Sequence, residues 1–113
     1  MKPVHKQLIW LGDSLDAVKK FPDQAKRAAG HQLGLVQDGL EPSDWKPMEA
    51  VGAGIKEIRI RIEQAYRVFY VAKFGEAVYV LHAFVKKTQK TSKSDLDLSS
   101  SRYRALLKTR KSK

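Results

Sequence analysis

Residues Glu57 to Glu63 alternate strictly between charged and apolar side chains. A period of two places Ile58, Ile60 and Ile62 on one face of a strand and the charges on the other, as expected for an antiparallel strand with one buried face. The next two runs, Tyr66 to Phe74 and Ala77 to Val85, are apolar on both faces and rich in aromatic residues. They are predicted to be the inner strands of a sheet, joined by a turn at Gly75-Glu76. Near the N-terminus, Gln7 to Leu11 is a short apolar run that reads as another strand and ends at Gly12.

Between these strands the period lengthens. Asp13 and Ser14 are good N-cap residues, and Leu15, Val18 and Phe21 follow at helical spacing. Pro22 stops that helix or starts a second one. Ala25, Ala28, Ala29, Gln32, Leu33 and Val36 continue the helical stripe until Gly39 ends it, so a helical hairpin bent at Pro22 is predicted. Residues Gly39 to Gly54 carry Pro42, Pro47, Gly52 and Gly54 and read as one long loop, pinned to the core by Trp45 and Met48. After Lys87 the chain turns polar. Ser92 or Ser94 is expected to cap a last helix, with Asp95 and Asp97 in its first turn and Lys108, Arg110 and Lys111 in its last, which complements the helix dipole. Its apolar stripe is expected to be Leu96, Tyr103 and Leu107, with a frayed basic tail from about 108 to 113. The predicted architecture is a single α+β domain over residues 1–113: an N-terminal strand and helical hairpin packed on an antiparallel sheet, then a short C-terminal helix.

Composition narrows the chemistry. An apolar fraction of 42% and a charged fraction of 30% are those of a globular chain. The absence of cysteine excludes a disulfide framework, a thiol nucleophile and a cysteine-based zinc site. His5, His31 and His82 are scattered and have no metal-ligand spacing, so neither metal nor other cofactor is expected. The apolar run near the N-terminus is too short for a signal peptide, and no stretch approaches a membrane span, so a cytoplasmic location is expected.

Charge is unevenly placed. The net charge is +10. Residues 1–50 hold seven basic and seven acidic side chains, whereas residues 51–113 hold fifteen and five, so the whole excess lies in the second part. Concentrated basic charge is the electrostatic footprint of a nucleic-acid binder. A merely solubilising surface is the alternative. An anionic membrane fits less well, because the basic tail lacks a broad apolar face with aromatic anchors.

Strands that deliver cations to a sheet edge suit a phosphate-rich ligand, and RNA in particular. RNA cleavage through the neighbouring 2′-hydroxyl needs the sugar and phosphate held in line, charge stabilisation on the phosphorane and two proton transfers. Arg67 is the first candidate. A permanent charge inside an apolar strand must reach a rim or find a partner, here Glu57 or Glu63. Arg59 and Arg61 lie on the polar face of the preceding strand and serve either RNA or water. Lys86 and Lys87 leave the last inner strand at its edge. His82, in an apolar run, is either a proton carrier or a hydrogen-bonded core residue. Lys56, Lys90, Lys93 and Arg102 are added as contacts to the RNA backbone. Gly52-Ala53-Gly54 resembles a phosphate loop but precedes a strand rather than a helix, so a dinucleotide site does not follow. These features fit a nuclease and a non-catalytic RNA-binding module equally.

The chain closely resembles the RelE/HigB-like toxins of bacterial type II toxin–antitoxin systems, in particular the phage-derived HigB-like branch. The resemblance runs from about Lys2 to Leu107. It is carried by LEPSDWKPME (Leu40–Glu49), GAGIKEIRIR (Gly52–Arg61), AYRVFYVAKFGEAVYVLHAF (Ala65–Phe84) and KKTQKT (Lys86–Thr91). It implies a metal-independent endoribonuclease that cuts mRNA on the ribosome, and a cognate antitoxin of the helix-turn-helix, HigA-like kind. It also implies a phosphate-stabilising role for Arg67, from the tyrosine-arginine pair Tyr66-Arg67, and site roles for Lys86 or Lys87 and for Arg59 and Arg61. His82 stands where this branch commonly has a histidine. Ser92 stands where proline would be expected, which touches only the start of the last helix.

Overall fold

A computed structural model describes residues 5–111. The elements are β1 (Gln7–Trp10), α1 (Ser14–Lys19), α2 (Asp23–Gln37), β2 (Trp45–Pro47), β3 (Ile55–Ile62), β4 (Gln64–Val71), β5 (Ala77–Lys86) and α3 (Lys93–Lys111). They form one five-stranded sheet in the order β1-β5-β4-β3-β2. The α+β class and the helical hairpin are as predicted. The sheet is mixed, however, because β1 runs parallel to β5 while the other pairs are antiparallel. A parallel partner was not readable from a four-residue run, since tertiary packing alone sets such non-local pairing. The long loop also contains a strand, β2, paired with Lys56 to Ile58. Three residues ending in proline are too few to show a period, and Pro47 is tolerated because β2 is an edge strand.

The strand periods explain the layers. On one face of the sheet Ile58, Ile60, Tyr66, Val68, Tyr70, Val78 and Val80 meet Val18, Phe21, Ala25, Ala29, Leu33 and Val36 from the hairpin. The small alanines let α2 lie close to the sheet, and Phe21 packs on Tyr66 with ring centroids 4.8 Å apart. Pro22 is the N-cap position of α2, so the bend falls where expected. Asp13 is the N-cap of α1 but makes no capping hydrogen bond. Its carboxylate instead accepts a hydrogen bond from Arg102 Nη2 at 2.5 Å.

On the opposite face Ile55, Phe69, Val71, Ala77, Tyr79 and Leu81 pack under Val51, Tyr103 and Leu106. The buried stripe of α3 thus uses Leu106, while Leu107 is exposed. The helix continues through Lys111; Ser112 and Lys113 of the expected tail lie outside the described residues. Ser92 is the residue that caps α3. Its hydroxyl accepts from the Asp95 backbone N–H at 3.1 Å and donates to Asp95 Oδ2 at 2.7 Å. Arg102 Nη1 ties the middle of α3 to the Leu81 carbonyl at 2.8 Å.

Gly52 decides how closely α3 can dock. A Cβ there would overlap the Tyr103 ring. That ring is buried, and its hydroxyl donates to the Ala53 carbonyl at 2.7 Å, so it cannot swing away. Of the two glycines that suggested a phosphate loop, Gly52 therefore serves packing, and Gly54 takes a left-handed turn at φ 84. Gly52→Ala is expected to destabilise the fold by about 1–3 kcal/mol, the usual cost of overpacking. Urea unfolding checks this: the midpoint should fall with little change in slope.

Candidate functional site

α3 does not cover the whole of its sheet face. The far corner, where β3 and β5 end and β4 begins, is open. Cross-strand register determines what sits there. Arg61 pairs with Ala65, and Ala65 with Lys86, so one row reads Arg61, Ala65, Lys86. The next row in reads Arg59, Arg67, Phe84. Lys46, Glu57, Phe69 and His82 form the row behind it. Arg59, Arg61, Arg67, Lys86 and Lys87, with Thr88 and Gln89 from the loop after β5, surround a cup of about 390 Å³ floored by Ala65. A small side chain at Ala65 is what makes the corner concave.

Beneath the cup lies a buried carboxylate. Glu57 is fully buried, and its Oε1 is 3.5 Å from Arg67 Nε, 3.9 Å from Lys46 Nζ and 4.0 Å from Arg59 Nε. Among the described residues neither Glu57 oxygen nor Arg67 Nε finds a hydrogen-bond partner. Of the two partners considered for Arg67, Glu57 is thus the one used. Arg67 itself is only 4% exposed. Its Nη1 donates to the Tyr66 carbonyl at 3.1 Å. Desolvation draws its pKa below the ordinary arginine value, and the Glu57 charge opposes that shift. Burial also lowers the Lys86 pKa, followed by repulsion from Arg67, while Glu57 again acts in the opposite direction. Lys86 is therefore easier to deprotonate than a free lysine. The hairpin tip beside the cup carries Glu63 at φ 62, a left-handed conformation unusual for a residue with a Cβ.

The remaining candidates fall elsewhere. His82 is on the same sheet face but under the start of α3. Its Nε2 donates to Asp95 Oδ1 at 2.7 Å, its ring stacks on Phe84, and its Nδ1 is buried without a partner. It does not line the cup. Arg102 is committed to Leu81 and Asp13, where its hydrogen bond and charge hold the Asp13 carboxyl below the usual carboxylate range. Lys56 faces the other side of β3, with its ammonium 3.5 Å from Glu41 and over the Trp45 ring. Its place was readable: it has the same parity as Ile58 and Ile60, not as Arg59 and Arg61. Lys90 and Lys93 are exposed, in the loop after β5 and at the start of α3. Lys46 was missed because β2 was not foreseen.

A concavity larger than this cup lies elsewhere. A groove of about 740 Å³ runs between β1 and the C-terminal half of α3, lined by Ile9, Leu11, Tyr79 and Leu106. Its walls are mostly apolar, and its cations Arg102 and Arg110 are paired with Asp13 and Glu76. The cup is the better site for a polyanion, because Lys86, Lys87 and the three arginines converge there. Among the described residues no group of three or more His, Asp or Glu side chains is placed to hold a metal ion. Among them, too, no helix is long and apolar enough to cross a membrane.

A small α+β domain with a cationic cup at one corner of its sheet defines the class. Residues 16–104 match the family of phage-derived Gp49-like proteins (DUF891), which spans most of the chain. The chain belongs to that family, which is of the RelE toxin-like type. No curated protein shows a significant match to it.

The Glu57–Arg67 pair makes a stability contrast. Removing one partner of a buried ion pair leaves the other charge uncompensated, which costs on the order of 3 kcal/mol. Arg67→Ala is expected to destabilise by about that much, whereas Arg61→Ala, at an exposed position, should stay within about 0.5 kcal/mol of the parent. Chemical denaturation of the two variants side by side checks the contrast.

Proposed function

We propose that the protein is the toxin of a type II toxin–antitoxin pair of the HigB-like branch, a metal-independent endoribonuclease that cuts mRNA on the ribosome. Its partner is a helix-turn-helix, HigA-like antitoxin, and its place of action is the cytoplasm. The observation that carries this reading is the convergence of Arg59, Arg61, Arg67, Lys86 and Lys87 on one open corner of the sheet. Membership of a phage-derived, toxin-like family supports it.

In this mechanism the RNA 2′-oxygen attacks the adjacent phosphorus and the bond from phosphorus to the 5′-oxygen breaks. The products are a 2′,3′-cyclic phosphate and a free 5′-hydroxyl. The arginines stabilise the phosphorane: a guanidinium stays protonated and its fork matches two phosphate oxygens. Lys86, with its lowered pKa, is the best-placed proton carrier. An account resting on position and charge needs no covalent nucleophile.

A second reading has one observation in its favour. The titratable side chains lining the cup are all arginine or lysine, with neither histidine nor carboxylate among them. That composition suits an RNA-binding module with no cleavage. Induced expression followed by mapping of mRNA 5′ ends separates the two. The nuclease reading expects growth arrest and new 5′ ends within coding regions. It also expects Lys86→Arg, which keeps the charge but hardly titrates, to hold its RNA affinity while cleavage falls by about 10²–10⁴. Normal growth and intact transcripts, with folded parent protein in the cell, would leave the binding reading.

A further inference from the structure

Glu57 has no task in the mechanism above, yet it is the acid most thoroughly removed from water. Its exposure is 0%, and both carboxylate oxygens are sealed and without hydrogen bonds. Burying an ionised carboxylate is costly unless charges or donors compensate it. Three cations approach it, from β2, β3 and β4, and Arg67 Nε is the nearest. The oxygens are too deeply enclosed to take a proton from a 2′-hydroxyl, so a role as general base is excluded by access.

We propose that Glu57 is a positioning residue, whose carboxylate holds the Arg67 guanidinium by its Nε edge and fixes its aim into the cup before RNA arrives. Two edges of that guanidinium are then occupied by the protein: Nε faces Glu57, and Nη1 is hydrogen-bonded to the Tyr66 carbonyl. Among the described residues Nη2 makes no hydrogen bond, and it is the nitrogen left for a phosphate oxygen. The same carboxylate allows Arg59 and Arg67 to lie directly opposite each other across β3 and β4, where like charges would otherwise repel.

The proposal rests on the endoribonuclease reading for its effect on rate, but its structural core can be tested without RNA. Glu57→Gln removes the charge and keeps an acceptor at the same place. Glu57→Met removes both and keeps the volume. A counter-charge role alone would make the two variants equal. Positioning predicts that Glu57→Met cleaves RNA about 10–100-fold more slowly than the parent, the scale of a misplacement near 1 Å, and that Glu57→Gln recovers part of the loss. Both variants should bind a non-cleavable oligonucleotide, 2′-deoxy at the scissile position, at least as tightly as the parent, since a negative charge has been removed. A merely structural role would weaken binding and cleavage together.

In parallel, exchange of the Arg67 Nε proton with water is followed by ¹⁵N NMR. It should be at least about 10-fold slower than that of the exposed Arg104, and it should accelerate more in Glu57→Met than in Glu57→Gln. Equal rates for the two variants, parental cleavage by Glu57→Met, or a parental Arg67 proton that exchanges as fast as that of Arg104 would each overturn the proposal. The last of these decides the matter even if neither variant folds. If the parent cleaves no RNA, the endoribonuclease reading fails by itself, and the exchange comparison still tests the positioning role.

Discussion

One buried carboxylate under several cations is the constraint around which this corner of the molecule is organised. Arg59 and Arg67 face each other on neighbouring strands, and Lys86 lies one row away on the next strand. Without an opposite charge such a cluster would push its members into solvent. Glu57 supplies that charge from below, at 3.5–4.0 Å from its three partners. Two unit charges 4 Å apart attract by roughly 4 kcal/mol at an effective dielectric constant of 20, before the cost of desolvation is subtracted. The net gain is smaller, but it is enough to keep cations close together where bulk water would let them drift apart. Concentrated positive charge on the outside depends on one negative charge on the inside.

The rest of the fold determines that this corner, and no other, stays open. The helical hairpin seals one face of the sheet, so β4 and β5 need cover on the other face only where their side chains are apolar. α3 covers the stretch from Ala77 to His82, its first turn lying over His82 through Asp95. Its placement is fixed at three points: Ser92, Asp95 and His82 at its start, Arg102 with Leu81 and Asp13 in its middle, and Tyr103 over Gly52. His82 therefore holds the start of α3 and does not line the cup. Beyond the end of α3's cover the strands change from apolar to cationic side chains, and the small Ala65 turns that change into a concavity.

Much of this was legible in the chain because the relevant periods are local. Alternation from Glu57 to Glu63 announced β3 and identified Arg59 and Arg61 as sharing a face. Unbroken apolar runs announced β4 and β5 as inner strands; Lys86 and Lys87 were named from the end of the last of these, and Arg67 as a permanent charge inside an otherwise apolar strand. What was not legible depended on pairing between distant segments. The parallel pairing of β1 with β5, the strand at Trp45–Pro47 and the Arg102–Asp13 bridge link residues with no shared period. His82 illustrates the same limit: its partner Asp95 lies on another element, and only their docking distinguishes a fixed histidine from a free one. Leu106 rather than Leu107 faces the sheet because the helix phase is set by Tyr103 over Gly52. Glu57 and Glu63 were equal candidates for Arg67 until register placed Glu57 diagonally beneath it and Glu63 at the hairpin tip.

The central claim is that the Arg59–Arg61–Arg67–Lys86 corner is where RNA meets this protein. Titration of ¹⁵N-labelled protein with a short single-stranded RNA, followed by backbone amide shifts, tests it most directly. The account predicts that the largest shifts fall at Arg59, Arg61, Ala65, Arg67, Lys86 and Thr88, and that they shrink with added salt as phosphate contacts are screened. Shifts concentrated instead on the outer face of α3, around Arg104 and Leu107, or on α2, with the corner unmoved, would contradict it.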